Sequence, residues 1–169
     1  MPKRGWVLVD SYDSQDGEEG EEGENRGAGS SWRICEMCEV QEIRFVHVME
    51  HEEYPTVLEC GCICAGKMCD DAAGVVETET RLRQLAKRRA GWLARKAWKV
   101  SMRGFPYIND RELNGVIFPV ARGGFGFRIE HRQTKRQMLM SRQFMATERL
   151  ARLRLFDAML WVREHRRQP

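Results

Sequence analysis

Six cysteines fall between residues 35 and 69 of this 169-residue chain, and none lies elsewhere. A disulfide scaffold spreads its cysteines through the fold, whereas a tight cluster in a reducing compartment points to metal or redox chemistry. Cys35-Glu-Met-Cys38 places two thiolates on one tight turn, where backbone amides can point at the sulfurs. Two such sulfurs are half of a tetrahedral zinc site. The other half must come from Cys60, Cys62, Cys64 or Cys69. If residues 56–64 form a strand, Cys62 and Cys64 share one face and can reach the same ion. The expected ligands of one Zn2+ are therefore Cys35, Cys38, Cys62 and Cys64. The second pair is C-x-C rather than C-x-x-C, so Cys60, Cys69, His47 or His51 could replace one of them.

The reducing compartment follows from what the chain lacks. No apolar run approaches the roughly 20 residues needed to span a bilayer. The only apolar stretch near the start is Trp6-Val-Leu-Val9, shorter than a secretion signal requires. A cytoplasmic protein with no membrane partner is the expectation.

Charge divides the chain. Residues 1–34 carry a net charge of −4 and residues 35–80 a net of −9, whereas residues 81–169 carry 22 Lys/Arg and six Asp/Glu, a net of +16. No acid occurs between Glu79 and Asp110. A basic half joined to an acidic half suggests a polyanion-binding surface with an acidic appendage. Residues 13–31 contain only Ala28 as an apolar side chain, too little to offset the entropy of ordering. The expected organisation is a short N-terminal segment at 1–12 and a disordered acidic linker at 13–31. A zinc-knuckle hairpin with a basic helix follows at 32–97, then a basic strand-helix unit at 98–169.

Residues 42–49 read as a β-branched, apolar strand and 56–64 as a second one, joined by a turn around Tyr54-Pro55. From 65 to 100, apolar residues such as Leu82, Leu85, Leu93 and Ala97 recur at helical spacing in about two pieces. Strands are expected at 98–103, 115–122 and 126–131, with Gly123-Gly124 as a hairpin turn. Residues 141–165 read as a helix with Met145, Leu150, Leu153, Phe156, Leu160 and Trp161 on its buried stripe. The fold class is α+β: a small zinc-bound β-hairpin plus basic helix, followed by a three-stranded antiparallel sheet with a C-terminal helix.

His47-Val-Met-Glu50-His51 matches the H-x-x-E-H string of inverted zinc peptidases. That chemistry needs both imidazoles on one helix face. On an extended chain they sit roughly 13 Å apart, so a zinc hydrolase built on these residues ranks third. In the basic half, arginine outnumbers lysine, which suits bidentate phosphate or guanine contact. Candidate nucleic-acid contacts are Arg83, Lys87, Arg88, Arg95, Lys96, Lys99, Arg122, Arg128, Arg132, Lys135 and Arg136. Interleaved aromatics such as Trp98, Phe105 and Tyr107 could stack on bases.

The knuckle, hairpin and helix-proximal cysteines resemble treble-clef or zinc-ribbon folds. From Cys35 to about Trp98 the chain is similar to a set of small, uncharacterised bacterial or phage proteins. They share a C-x-x-C, a His-Val-Met-Glu-His-like strand, a Tyr-Pro turn, a Gly-Cys-x-Cys-Ala segment and a Lys/Arg-rich helix. That resemblance implies Cys62 and Cys64 as ligands. Val116-Ile-Phe, Gly126-Phe-Arg-Ile, Phe144-Met-Ala-Thr147 and Phe156-Asp157 resemble the βββα AP2-type DNA-binding domain. It implies a three-stranded sheet presenting Arg122 and Arg128 to DNA, with Arg132, Lys135 and Arg136 gripping phosphates. The expected function is non-enzymatic, zinc-stabilised nucleic-acid binding, to DNA rather than RNA. The alternative is a protein-interaction adaptor that engages a protein partner through the acidic linker or the basic helix.

Overall fold

The structure, a computed structural model, describes residue 2, residues 4–15 and residues 32–165. The greater part of the expected acidic linker, 16–31, lies outside the described residues. The chain divides into two units, Met1–Lys87 and Arg88–Pro169.

In the first unit, β1 (Val7–Asp13), β4 (Phe45–Glu50) and β5 (Leu58–Cys60) form an antiparallel sheet in the order β1-β4-β5. The central strand β4 explains its own composition. Phe45, Val46, His47 and Met49 are all buried, as a strand covered on both faces requires. A short ladder of β2 (Arg33–Ile34) with β3 (Glu42–Ile43) brackets the Cys35–Cys38 turn. Helix α1 (Cys62–Met68) follows β5 after one residue, Gly61. Helix α2 (Ala72–Trp92) then starts behind Asp71, whose Oδ1 accepts the Gly74 amide at 2.9 Å, an N-terminal cap. Trp6, Val46, Met49, Leu58, Ala65, Met68 and Val75 fill the core. The buried Asp13 carboxylate accepts two hydrogen bonds from Arg44, at 2.9 and 2.7 Å, closing the end of β1.

The second unit is a five-stranded antiparallel meander with one helix. Its strands are β6 (Trp98–Val100), β7 (Pro106–Asp110), β8 (Leu113–Pro119), β9 (Phe125–His131) and β10 (Gln137–Met140), in the order β10-β9-β8-β7-β6. Gly123 and Gly124 turn the β8–β9 hairpin with φ of 95° and 85°, left-handed values that favour glycine. Helix α3 (Glu148–His165) covers one face. It crosses at Gly115, where a Cβ would lie 2.6 Å from Leu155 and 2.8 Å from Met159. Ile108, Leu113, Ile117, Phe127 and Ile129 of the sheet are buried with Leu155, Phe156 and Met159 of the helix. Trp92 packs against Trp98 and Phe156 and donates its indole N–H to the Arg152 carbonyl at 2.8 Å.

The α+β class stands, and the three-stranded sheet is corrected to five strands. Pro106, Asn109 and Asp110 gave β7 the composition of a loop, and Gln137 gave β10 a polar start. The candidate strand at 98–103 stops at Val100, because 101–104 form a turn closed by the Gly104 amide on the Ser101 carbonyl. The last helix begins at Glu148, not 141. Residues 141–147 form bends in place of a helical turn, and Met145 bridges Phe125. Trp161 is exposed and stacks on His165 rather than joining the buried stripe.

Replacing Leu155 with Ala should cost about 2–5 kcal/mol, because it removes buried methyl groups packed against Gly115. Urea unfolding read by tryptophan fluorescence measures this. A loss below about 1 kcal/mol would show that α3 does not seal this face.

Candidate metal centre

Three sulfurs converge in the first unit. Cys35, Cys38 and Cys64 each place Sγ within 4.8 Å of the other two. A tetrahedral zinc ion with bonds of about 2.3 Å would separate its sulfurs by roughly 3.8 Å, so the three could hold a metal ion without rearrangement of the backbone. Cys35 is buried, Cys64 half-buried and Cys38 exposed, placing the centre at the edge of the unit.

Local geometry explains the gathering. The Cys35–Cys38 turn is closed by the Glu39 amide on the Cys35 carbonyl at 2.8 Å and by the Cys35 amide on the Gln41 carbonyl at 2.9 Å. Glu39 takes φ 57°, in the left-handed region. The neighbouring backbone amides of Val40 and Gln41, assisted by the Cys35 and Cys64 thiols, lower the Cys38 pKa to about 7. Burial, then the neighbouring Cys35 and Cys38 sulfurs, push Cys64 up to about 12. Gly61 donates its amide to Cys35 Sγ at 3.4 Å, which ties the turn to the start of α1.

Cys62 does not join this group. The second strand ends at Cys60, and Cys62 opens α1. Residues i and i+2 share a face in a strand, but on a helix they lie about 200° apart. Cys64 therefore faces the turn while Cys62 faces the other way, toward His47 and Glu79. The expected set Cys35, Cys38, Cys62 and Cys64 is brought together only in part, as Cys35, Cys38 and Cys64. Cys60 lies beside Cys35 but outside the cluster. Its thiol donates to Met68 Sδ at 3.7 Å, and burial followed by the Cys35 charge pushes its pKa up to about 12.

The His47/Glu50/His51 string does not converge. His47 is wholly buried, with Nδ1 2.9 Å from Ser11 Oγ and Nε2 3.2 Å from Glu79 Oε2. His51 instead packs on Trp6 and lies 3.1 Å from the Arg4 carbonyl, and Glu50 is exposed. Burial raises the pKa of Glu79, but hydrogen bonds from Arg83 and His47 outweigh it and hold the carboxyl below its usual value. Burial and Glu79 raise that of Cys62. Ser11 and Glu79 were not evident in the sequence. Glu79 was recoverable as the last acid before the long basic run.

The candidate nucleic-acid contacts separate into two groups. Arg83 pairs with Glu79 and stacks over Phe45, and Arg95 pairs with Asp110 and stacks over Trp92. Arg128 pairs with Glu130, Arg132 donates to the Arg111 carbonyl, and Arg88 lies over Phe156. Lys87, Lys96, Lys99, Arg122, Lys135 and Arg136 are exposed and make no ion pair among the described residues. Arg122 sits in the β8–β9 turn, off the sheet face. Arg128 lies on the face opposite α3.

The chain matches no protein-family model, no curated protein and no solved structure.

In metal-free protein, Cys38 should be the first thiol alkylated by iodoacetamide. Its thiolate forms as pH rises through about 7, so its rate should climb between roughly pH 6 and 8 and then level off. Cys60 and Cys64, at about 12, stay protonated throughout. Peptide mapping that finds Cys64 modified before Cys38 would contradict this ordering.

Proposed function

We propose that the chain is a zinc-stabilised, non-enzymatic nucleic-acid-binding protein, with DNA as the favoured ligand. One observation carries this reading: the sheet face that α3 leaves open. Register places Lys99, Tyr107, Val116, Arg128 and Met140 in one row across all five strands. Phe118 lies on the same face, over Gly126. Cations beside half-buried aromatic rings are what a stacking and phosphate-gripping surface needs. Where the β7–β8 and β9–β10 turns meet, Asn109, Arg111, His131, Arg132 and Lys135 line a cleft of about 380 Å3 together with Glu112 and Gln133. Zinc is the metal that best suits a three-thiolate centre, and Cys60 is the sulfur we assign as its fourth ligand. Its role is to hold the turn, the hairpin and α1 together.

Affinity should then fall linearly in log–log terms with salt, with a slope of about −0.9 for each phosphate neutralised. Charge reversal at Lys99, Arg122, Lys135 and Arg136 should flatten that slope by about one for each phosphate no longer neutralised. Tyr107→Ala should weaken single strands by about 1–3 kcal/mol per base unstacked. Fluorescence anisotropy with duplex DNA, single strands and RNA is the measurement. Absence of binding to all three at low salt would end this reading.

Zinc itself has a separate check. Cys35→Ser, Cys38→Ser or Cys64→Ser should each abolish one equivalent of bound zinc and lower thermal stability. Zinc content unchanged in all three variants would remove the centre.

A second reading rests on Ile34, Val40 and Ile63, which are exposed and lie within two residues of the metal-centre cysteines in sequence. They suit a protein contact, and a partner retained after nuclease and high-salt washes would favour an adaptor.

A further inference from the structure

The residues that Cys62 faces form a group of their own. His47 from β4, Cys62 from α1 and Glu79 from α2 bring one nitrogen, one sulfur and one oxygen within 4.8 Å of each other. His47 Nε2 and Glu79 Oε2 are 3.2 Å apart. Zinc bound to imidazole and carboxylate at about 2.0–2.2 Å would hold those atoms roughly 3.4 Å apart. The supporting contacts are also of the kind a metal site uses. Ser11 Oγ engages the remaining ring nitrogen at 2.9 Å, fixing the plane of an imidazole that has no solvent exposure. Arg83 binds the other Glu79 oxygen. A thiolate and a carboxylate together neutralise a divalent cation, which reduces the cost of burying it.

We infer that His47, Cys62 and Glu79 form a second, three-donor site for a zinc-class divalent cation, distinct from the Cys35/Cys38/Cys64 centre. Three protein donors leave the fourth position of a tetrahedral ion to water or an outside ligand. Helix α1 thus serves two centres, presenting Cys64 to one and Cys62 to the other.

Cobalt(II) titration of the full-length, chelator-stripped protein tests this directly, because thiolate-to-cobalt absorption grows with the number of sulfurs bound. Wild type should take two equivalents, one with strong thiolate absorption and one with weak. Cys62→Ala should remove the weak component alone, and Cys64→Ala should diminish the strong component alone. Glu79→Gln, at a side chain only 13% exposed but isosteric, should also lose the weak component, and its circular dichroism should match wild type. Ser11→Ala should lower cobalt affinity at this site about 10–100-fold without affecting the other. Absence of the weakly absorbing component from wild type, or its retention by both Cys62→Ala and Glu79→Gln, would overturn the assignment. Nucleic-acid binding enters neither outcome, so the two readings stand or fall separately.

Discussion

One weak hydrogen bond, from the Gly61 amide to Cys35 Sγ at 3.4 Å, joins the turn that carries two sulfurs to the helix that carries the third. The surrounding framework makes that contact available. The β2–β3 ladder fixes the two ends of the turn, β5 delivers the chain to Gly61, and α1 starts at the next residue. A side chain at Gly61 would place its Cβ 2.8 Å from Ile43, so glycine is what allows β5 and α1 to approach the turn this closely. A metal bound there would contribute on the order of 10 kcal/mol to folding. That would rival the whole stability of a typical domain, about 5–15 kcal/mol. In a unit of this size, such a centre would outweigh any single apolar contact in the core.

The elements with strong periodicity were legible in the sequence. The β4–β5 hairpin, the basic helix and the β8–β9 hairpin follow from β-branched runs, helical spacing and a Gly-Gly turn. Two of the three clustered sulfurs follow from Cys35-x-x-Cys38 alone. The error lay in continuing β5 through Cys64. Cys60-Gly-Cys-Ile-Cys alternates as a strand does, but Cys-Ile-Cys-Ala-Gly-Lys-Met is equally a helical turn, and a three-residue ambiguity decided which cysteine joins the cluster. Strands β7 and β10 were missed for a different reason. Each is stabilised by neighbours on the sheet rather than by its own composition, and cross-strand pairing is not local information. His47 was legible as a histidine in a strand, but Ser11 and Glu79 reach it from 36 and 32 residues away.

The second unit divides its chemistry between two faces of one sheet. Gly115 lets α3 lie close on one side, where Leu155 and Met159 fill the space a side chain would have taken. The opposite face carries Lys99, Tyr107 and Arg128 in register. Several arginines that contribute to the net charge of +16 are held locally. Arg163 bonds both Asp110 and Glu112, and Arg163 together with Arg95 keeps the Asp110 carboxyl below its usual pKa despite partial burial. Formal charge in the sequence therefore overstates the field available to a ligand. The surplus resides in exposed cations such as Lys96, Lys99, Arg122 and Lys135.

Helical phase links the two halves of the metal chemistry. With 3.6 residues per turn, alternate cysteines on α1 cannot serve one ion, and the C-x-C spacing that weakens the case for a single four-cysteine site suits two sites on opposite sides of the helix. The partners on the two sides differ accordingly. Cys64 meets thiols and backbone amides at the edge of the unit, where Cys38 is exposed. Cys62 meets an imidazole and a carboxylate drawn from the core strand and from α2. A sulfur-rich set favours a closed, structural centre, whereas a mixed N, S, O set with three donors retains an exchangeable position. On the proposed assignment the same seven-residue helix would hold the fold together on one side and offer a three-donor metal site on the other, because its first turn separates the two cysteines by more than half a revolution.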